Sequence, residues 1–119
     1  MFNAIREANA ALQERRYDEA AAVARDAVAR DPRNAFAIIV LANANREQGR
    51  YREAIDRYRA YLDLVPASAD AHHRMAICYA RIGDADRALV EADAALAIDP
   101  RFGDAHDLRG GGAGKAGRI

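Results

Sequence analysis

Ala27-Val28-Ala29-Arg30-Asp31-Pro32-Arg33, Tyr61-Leu62-Asp63-Leu64-Val65-Pro66-Ala67 and Ala95-Leu96-Ala97-Ile98-Asp99-Pro100-Arg101 decide the fold of this chain. Their prolines are the only three in the sequence, and each interval between them is 34 residues. Twelve residues before each proline stand Ala20, Ala54 and Ala88, and five before stand Ala27, Tyr61 and Ala95. The stretches entering those alanines align as well: Arg16-Tyr17-Asp18-Glu19-Ala20, Arg50-Tyr51-Arg52-Glu53-Ala54 and Asp84-Ala85-Asp86-Arg87-Ala88. Three copies in one phase mark a repeat architecture, in which one unit cannot bury its own apolar face and must stack on a neighbour.

Composition says what each unit is made of. Apolar residues make up 51% of the chain, yet mean hydropathy is only −0.34, because alanine supplies much of that fraction. Abundant Ala, Arg, Glu and Leu with few β-branched residues favour helix and give no sign of a sheet. Gly49 and Gly83 fall at turn positions, Asn34 and Ser68 stand just before new helices, and a proline closes each unit. These signals predict helices over about 2–14, 18–31, 35–48, 52–65, 69–82 and 86–98. Small residues at 20, 54 and 88 let the two helices of a unit cross closely, and Leu41, Tyr58, Leu62, Tyr79 and Leu96 are expected to fill the space between units.

The pattern resembles the tetratricopeptide repeat family, whose signature is a helix with aromatic–x2–Leu–Gly/Ala–x2–Tyr, a turn, a second helix with Ala and an aromatic, then Pro. The middle copy matches best, with Ile38, Leu41, Ala42, Gly49, Tyr51, Ala54, Tyr58, Leu62 and Pro66. The third keeps Met75, Ala76, Tyr79, Gly83, Ala88, Leu96 and Pro100 but has His72 and Ala85. The first keeps Ala8, Tyr17, Ala20, Ala27, Val28 and Pro32 but has Glu7 and Ala11. The resemblance covers residues 1–102 and implies an all-α, right-handed superhelical solenoid of three helix-turn-helix repeats over 1–34, 35–68 and 69–102. Residues 103–119 are expected to form a partial fourth-repeat capping helix and a flexible Gly-rich tail.

The resemblance also implies that the first helix of every pair lines a concave, peptide-binding groove. Carried onto this sequence, that places Phe2, Ile5, Arg6, Asn9 and Gln13 in it from the first unit. The second unit gives Phe36, Ile39, Val40, Asn43 and Arg46, and the third gives Asp70, His73, Arg74, Ile77 and Arg81. Phe36, Ile39 and Val40 together would form an apolar patch. Asn9 and Asn43, one repeat apart, carry both donors and acceptors suited to a peptide backbone, and arginines can hold carboxylates. Family members that serve chaperones hold a C-terminal carboxylate with Lys and Asn, then Asn, then Lys and Arg. Here those positions are Ile5, Asn9, Val40, Asp70 and Arg74, two matches of five with one charge reversed, which speaks against an acidic chaperone tail.

Other chemistry finds no support in the residues. Lys plus Arg equals Asp plus Glu at 18 each, so no net field draws nucleic acid or an anionic membrane, and neither is expected as a partner. The start of the chain lacks a basic leader and an apolar core, so no signal peptide is read and the expected location is cytoplasmic. Cys78 is the single cysteine, and His72, His73 and His106 do not assemble a ligand set with it, so no metal is expected. The Gly110–Gly117 stretch fails as a phosphate loop, with Arg109 in place of the first Gly and Ala116 in place of Ser or Thr. No paired carboxylates or triad appear, so no catalytic residue, no cofactor and no enzyme activity are expected. The function expected is an adaptor binding a peptide segment or helix of another protein. The alternatives are a homodimer or assembly scaffold built through a poorly capped third repeat, and the repeat segment of a larger enzyme.

Overall fold

The structure is a computed structural model; it describes residues 2–101, the side chains of residues 2–5 and 7 excepted. Among the described residues it contains six α-helices and no strand: α1 (Phe2–Gln13), α2 (Tyr17–Arg30), α3 (Ala35–Glu47), α4 (Tyr51–Leu64), α5 (Ala69–Arg81) and α6 (Ala85–Ile98). Each lies within one residue at either end of the helix read from the sequence. The partial fourth-repeat helix and the Gly-rich tail lie outside the described residues. The chain divides into two compact units, Met1–Pro66 with α1–α4 and Ala67–Ile119 with α5 and α6.

The three helix pairs turn by the same backbone device. After α3 the Gly49 N–H donates to the Arg46 carbonyl at 3.0 Å and the Arg50 N–H reaches back to the Asn45 carbonyl at 2.8 Å. After α5 the Gly83 N–H donates to Ala80 at 3.1 Å and the Asp84 N–H to Tyr79 at 2.9 Å. Two nested bonds of this kind, closed by a residue in the left-handed region, satisfy carbonyls that the helix end would otherwise leave open. Gly49 and Gly83 take that conformation, at φ +81° and +87°. After α1 the bonds recur from Arg15 to Leu12 at 3.0 Å and from Arg16 to Ala11 at 2.7 Å, but the left-handed residue is Arg15, at φ 66°.

Side chains mark the opposite ends. The Asn34 Oδ1 accepts from the Ala37 N–H, the Ser68 Oγ from Ala71 and the Asp84 Oδ1 from Arg87, each at 3.1 Å, which caps α3, α5 and α6. Where a second helix ends at Asp-Pro-Arg, the aspartate folds onto the chain beyond the proline: Asp31 accepts from the Arg33 N–H and Asp99 from the Arg101 N–H, both at 3.1 Å.

Packing in the first unit rests on alanine. Ala8, Ala11, Ala20, Ala21 and Ala24 of α1 and α2 are buried with Val40, Leu41 and Ala44 of α3, and Leu12, Val23, Val28 and Ile39 close around them. Tyr58 of α4 is fully buried, and Leu62 is partly buried. In the second unit α5 packs on α6, with Ala71, Met75, Ala76, Cys78 and Tyr79 buried on one helix and Ala88, Ala92 and Ala95 on the other. On α6, Leu89, Val90 and Ile98 remain exposed, whereas Leu96 is partly buried.

The turns make an opposed pair of predictions. A Cβ built on Gly49 or Gly83 meets no atom within 4 Å, so Gly49→Ala and Gly83→Ala should each lose about 1–2 kcal/mol from left-handed backbone strain alone. Arg15→Gly should gain about 1 kcal/mol for the same reason. Urea denaturation followed by far-UV circular dichroism measures both.

Candidate functional site

The first helices carry the residues of interest, and each unit can be taken by itself. In the first unit α3 packs against α1, α2 and α4. Three neighbours widen the buried sector of α3 beyond the single stripe that a sequence periodicity assumes, and it takes in Ala37, Ile38, Val40, Leu41, Ala42, Ala44 and Asn45. Val40 is therefore a core residue, 1% exposed among Ala8, Ala21 and Leu41, and not the surface residue expected. It lies about 60° round the helix from Asn43, at the edge where the stripe turns inward. The apolar patch contracts accordingly: Phe36 is 49% exposed, and Ile39 is partly buried against the core.

Phe36, Ile39, Asn43 and Arg46 remain on one face of α3, at spacings of three, four and three residues. On α1, which packs beside α3, Arg6 and Gln13 are exposed and Asn9 is partly buried. Phe2 and Ile5 have side chains outside the described residues.

The polar end of the α3 face is held from beneath. The buried Tyr58 hydroxyl, from α4, donates to Asn43 Oδ1 and accepts from Arg46 Nε at 3.1 Å. The direction of this relay follows from chemistry. A guanidinium only donates, so the phenol oxygen accepts from Arg46, and its O–H donates to the Asn43 oxygen that faces it. Asn43 thus holds Tyr58 with one lone pair of its carbonyl, and the second lone pair and the two amide N–H groups are its further hydrogen-bonding capacity. Arg46, only 16% exposed, also pairs with Glu47 at 3.0 Å.

A second polar chain begins two residues further along α3. Asn45, 2% exposed, donates from Nδ2 to Gln48 Oε1 at 3.1 Å, and Gln48 donates from Nε2 to Asp18 Oδ1 at 2.6 Å. It ties the end of α3 to the start of α2. Sequence reading passed over both networks. The signal for the second was there: Asn45 occupies the repeat position held by Ala11 and Tyr79, a core position where an amide needs partners. Tyr58 was legible as a core aromatic, but which groups its hydroxyl reaches was not.

In the second unit Asp70, Arg74, Ile77 and Arg81 share one face of α5. Asp70 and Arg81 are exposed, and Arg74 and Ile77 partly buried. Arg74 Nε and Asp70 Oδ2 form an ion pair at 2.8 Å. His73, expected on that face, is 8% exposed and belongs instead to the buried sector of α5, which spans Ala71 to Tyr79 and exceeds one stripe, as on α3. His72 Nδ1 meets Glu91 Oε1 at 2.7 Å, so this histidine joins α5 to α6 in place of an aromatic. Among the described residues no group of three or more His, Cys, Asp or Glu could hold a metal, and no helix is long and apolar enough to cross a membrane.

A shallow depression at the turn edge of the first unit is lined by Arg15, Arg16, Tyr17, Gln48 and Arg50, with Asp18 and Glu19 among them. Arg16 is spent on Glu14 and Glu19, each at 2.7 Å, so its charges largely cancel.

Tyr58→Phe should remove the relay while keeping the ring in place. It leaves Asn43 and Arg46 without their shared partner and should cost about 1–2 kcal/mol in urea denaturation, with helicity retained.

Comparison with known proteins places the chain. Residues 45–110 match one family model described as tetratricopeptide repeat, and residues 5–38 match a second of the same description. No curated protein sequence matches significantly. Among solved structures, MamA aligns with a TM-score of 0.86 at 22% identity, over 90% of this chain and 63% of that one. YrrB, titled a TPR protein with an unusual peptide-binding site, aligns at 0.82 and 20% identity over 86% of this chain and 53% of its own. The first TPR of Spaghetti (RPAP3), bound to an HSP90 peptide SRMEEVD, aligns at 0.85 and 18% identity over 91% of this chain and 86% of its own. The chain thus spans less than two thirds of the length of MamA and YrrB. These likenesses carry the all-α helical-repeat fold, and the family models, one of which matches more than half of the sequence, carry the kinship. The chain belongs to the tetratricopeptide repeat family.

Proposed function

We propose that this chain is a protein-interaction module and that the exposed face of its first helices takes a peptide segment of another protein. The observation that carries the reading is on α3, where an exposed Phe36 shares a face with Asn43, two turns further on, whose side chain is held by Tyr58. An isolated exposed phenylalanine would be unremarkable on a surface. On one face with a held amide it supplies two elements that a bound peptide needs: a place for an apolar side chain and a partner for the main chain. Of the similar structures, one is of a protein with a peptide-binding site and one holds a bound peptide, which supports the same reading.

Asp70, Arg74, Ile77 and Arg81 on α5, with Arg6 and Asn9 on α1, are the further residues proposed to meet the partner. Val40 and His73 are withdrawn from that set because both are buried.

The test is partner capture from the native host with the wild type and with Phe36→Ala, Asn43→Ala and Arg74→Ala. Capture should fall about tenfold or more for Phe36→Ala and Asn43→Ala, as for a central contact in a small interface, with the circular dichroism spectrum unaltered. Undiminished capture by all three variants refutes the assignment of the face.

A further inference from the structure

We infer that the outer face of α6 is a docking surface in its own right, seating a basic amphipathic helix of a partner protein. Leu89 and Val90 are consecutive on this face, 46% and 62% exposed. The repeat shows what kind of element belongs over them. Leu89 holds the position of Ala21 and Ile55, which are both buried. In the first unit Ala21 is enclosed where α3 packs on α2, and α3 brings Val40, Leu41 and Ala44 to that cluster. The Leu89 position is thus one on which this fold seats a helix through its apolar stripe. Val90 does not come from the repeat, since Ala22 and Asp56 hold its place in the other copies. It widens the apolar strip where those copies are small or charged.

Charge narrows the partner. From Asp84 to Asp99 the chain has five carboxylates, at Asp84, Asp86, Glu91, Asp93 and Asp99, and one base, Arg87. Arg87 pairs with Asp84 at 3.7 Å, and Glu91 meets His72 of α5 at 2.7 Å. Asp86 and Asp93 are exposed, and each lies three or four residues from Leu89 and Val90, so the two aspartates bracket the apolar pair on one face. The other copies carry Arg25 and Arg59 where α6 has Asp93, so this acidity is particular to α6. An apolar strip flanked by lysines or arginines complements it. A second copy presenting the same face would set aspartates against aspartates. The chain's own residues 103–109 carry Asp104 and Asp107 against Arg109, and in the places of Leu41 and Ala44 the sequence has Arg109 and Gly112. Neither offers the apolar and basic pattern.

Two stapled, alanine-based helical peptides of the length of α6 test this against the whole 119-residue chain by fluorescence anisotropy. Both carry valine, leucine and alanine at the spacing of Val40, Leu41 and Ala44; arginines flank that strip in one and glutamates in the other. The arginine peptide should bind the wild type about tenfold or more tighter than the glutamate peptide. The double variant Leu89→Ser, Val90→Ser should lose about tenfold or more, and Asp86→Lys, Asp93→Lys should reverse the preference, with circular dichroism unaltered in both. No saturable binding of the arginine peptide, or indifference to both variants, overturns the inference. Light scattering and one more variant identify other occupants. A wild-type dimer that Leu89→Ser, Val90→Ser returns to monomer gives the face to a second copy. Tighter binding of the arginine peptide by Leu108→Ser gives it to the chain's own later residues. Either result also overturns the inference.

Discussion

Close approach of helices over alanine is the constraint on which the rest of the molecule depends. Ala8, Ala11, Ala20, Ala21 and Ala24 are all at most 1% exposed in the first unit, and Ala88, Ala92 and Ala95 line the inner face of α6 in the second. Alanine loses no side-chain entropy on burial and contributes little area, so the stabilisation at each contact is small. What it permits is short separation between helix axes, which lets a few large residues, Leu41 and Tyr58 foremost, be enclosed completely. A core of this kind tolerates little added volume, because overpacking forces side chains off their rotamers.

That closeness explains the candidate site. Because α4 lies near α3, the whole Tyr58 side chain is buried while its hydroxyl still reaches Asn43 and Arg46 of the neighbouring helix. A residue of the second helix thus sets the orientation of residues on the first. The same proximity removes Val40 from the surface and leaves Phe36 on it. The face is a remainder, the part of α3 that three neighbouring helices do not cover.

The turns show how far a repeat can depart from its own pattern. Arg15, Gly49 and Gly83 share one repeat position, one pair of backbone bonds and one left-handed conformation, yet only two are glycine. The hydrogen bonds of the motif hold the backbone in place even where the residue disfavours it. His72 is a similar departure, since a hydrogen bond to Glu91 takes the place of aromatic packing.

By itself the sequence determined the repeat. Proline at 34-residue intervals, alanine in phase with it, glycine at two turns and a capping side chain at Asn34 and Ser68 are local features, each readable from neighbours in the chain. They placed the six helices and the family. Which side of each first helix faces outward was only half legible, because periodicity reveals one buried stripe whereas α3 packs against three helices. Tertiary structure alone decided that Val40 and His73 are buried, that Asn45 reaches Gln48 and Asp18, and that Tyr58 directs Asn43. The reason is distance along the chain. Tyr58 lies 15 residues from Asn43 and Gln48 lies 30 from Asp18, separations at which no local rule applies and only packed helices bring hydrogen-bonding groups together.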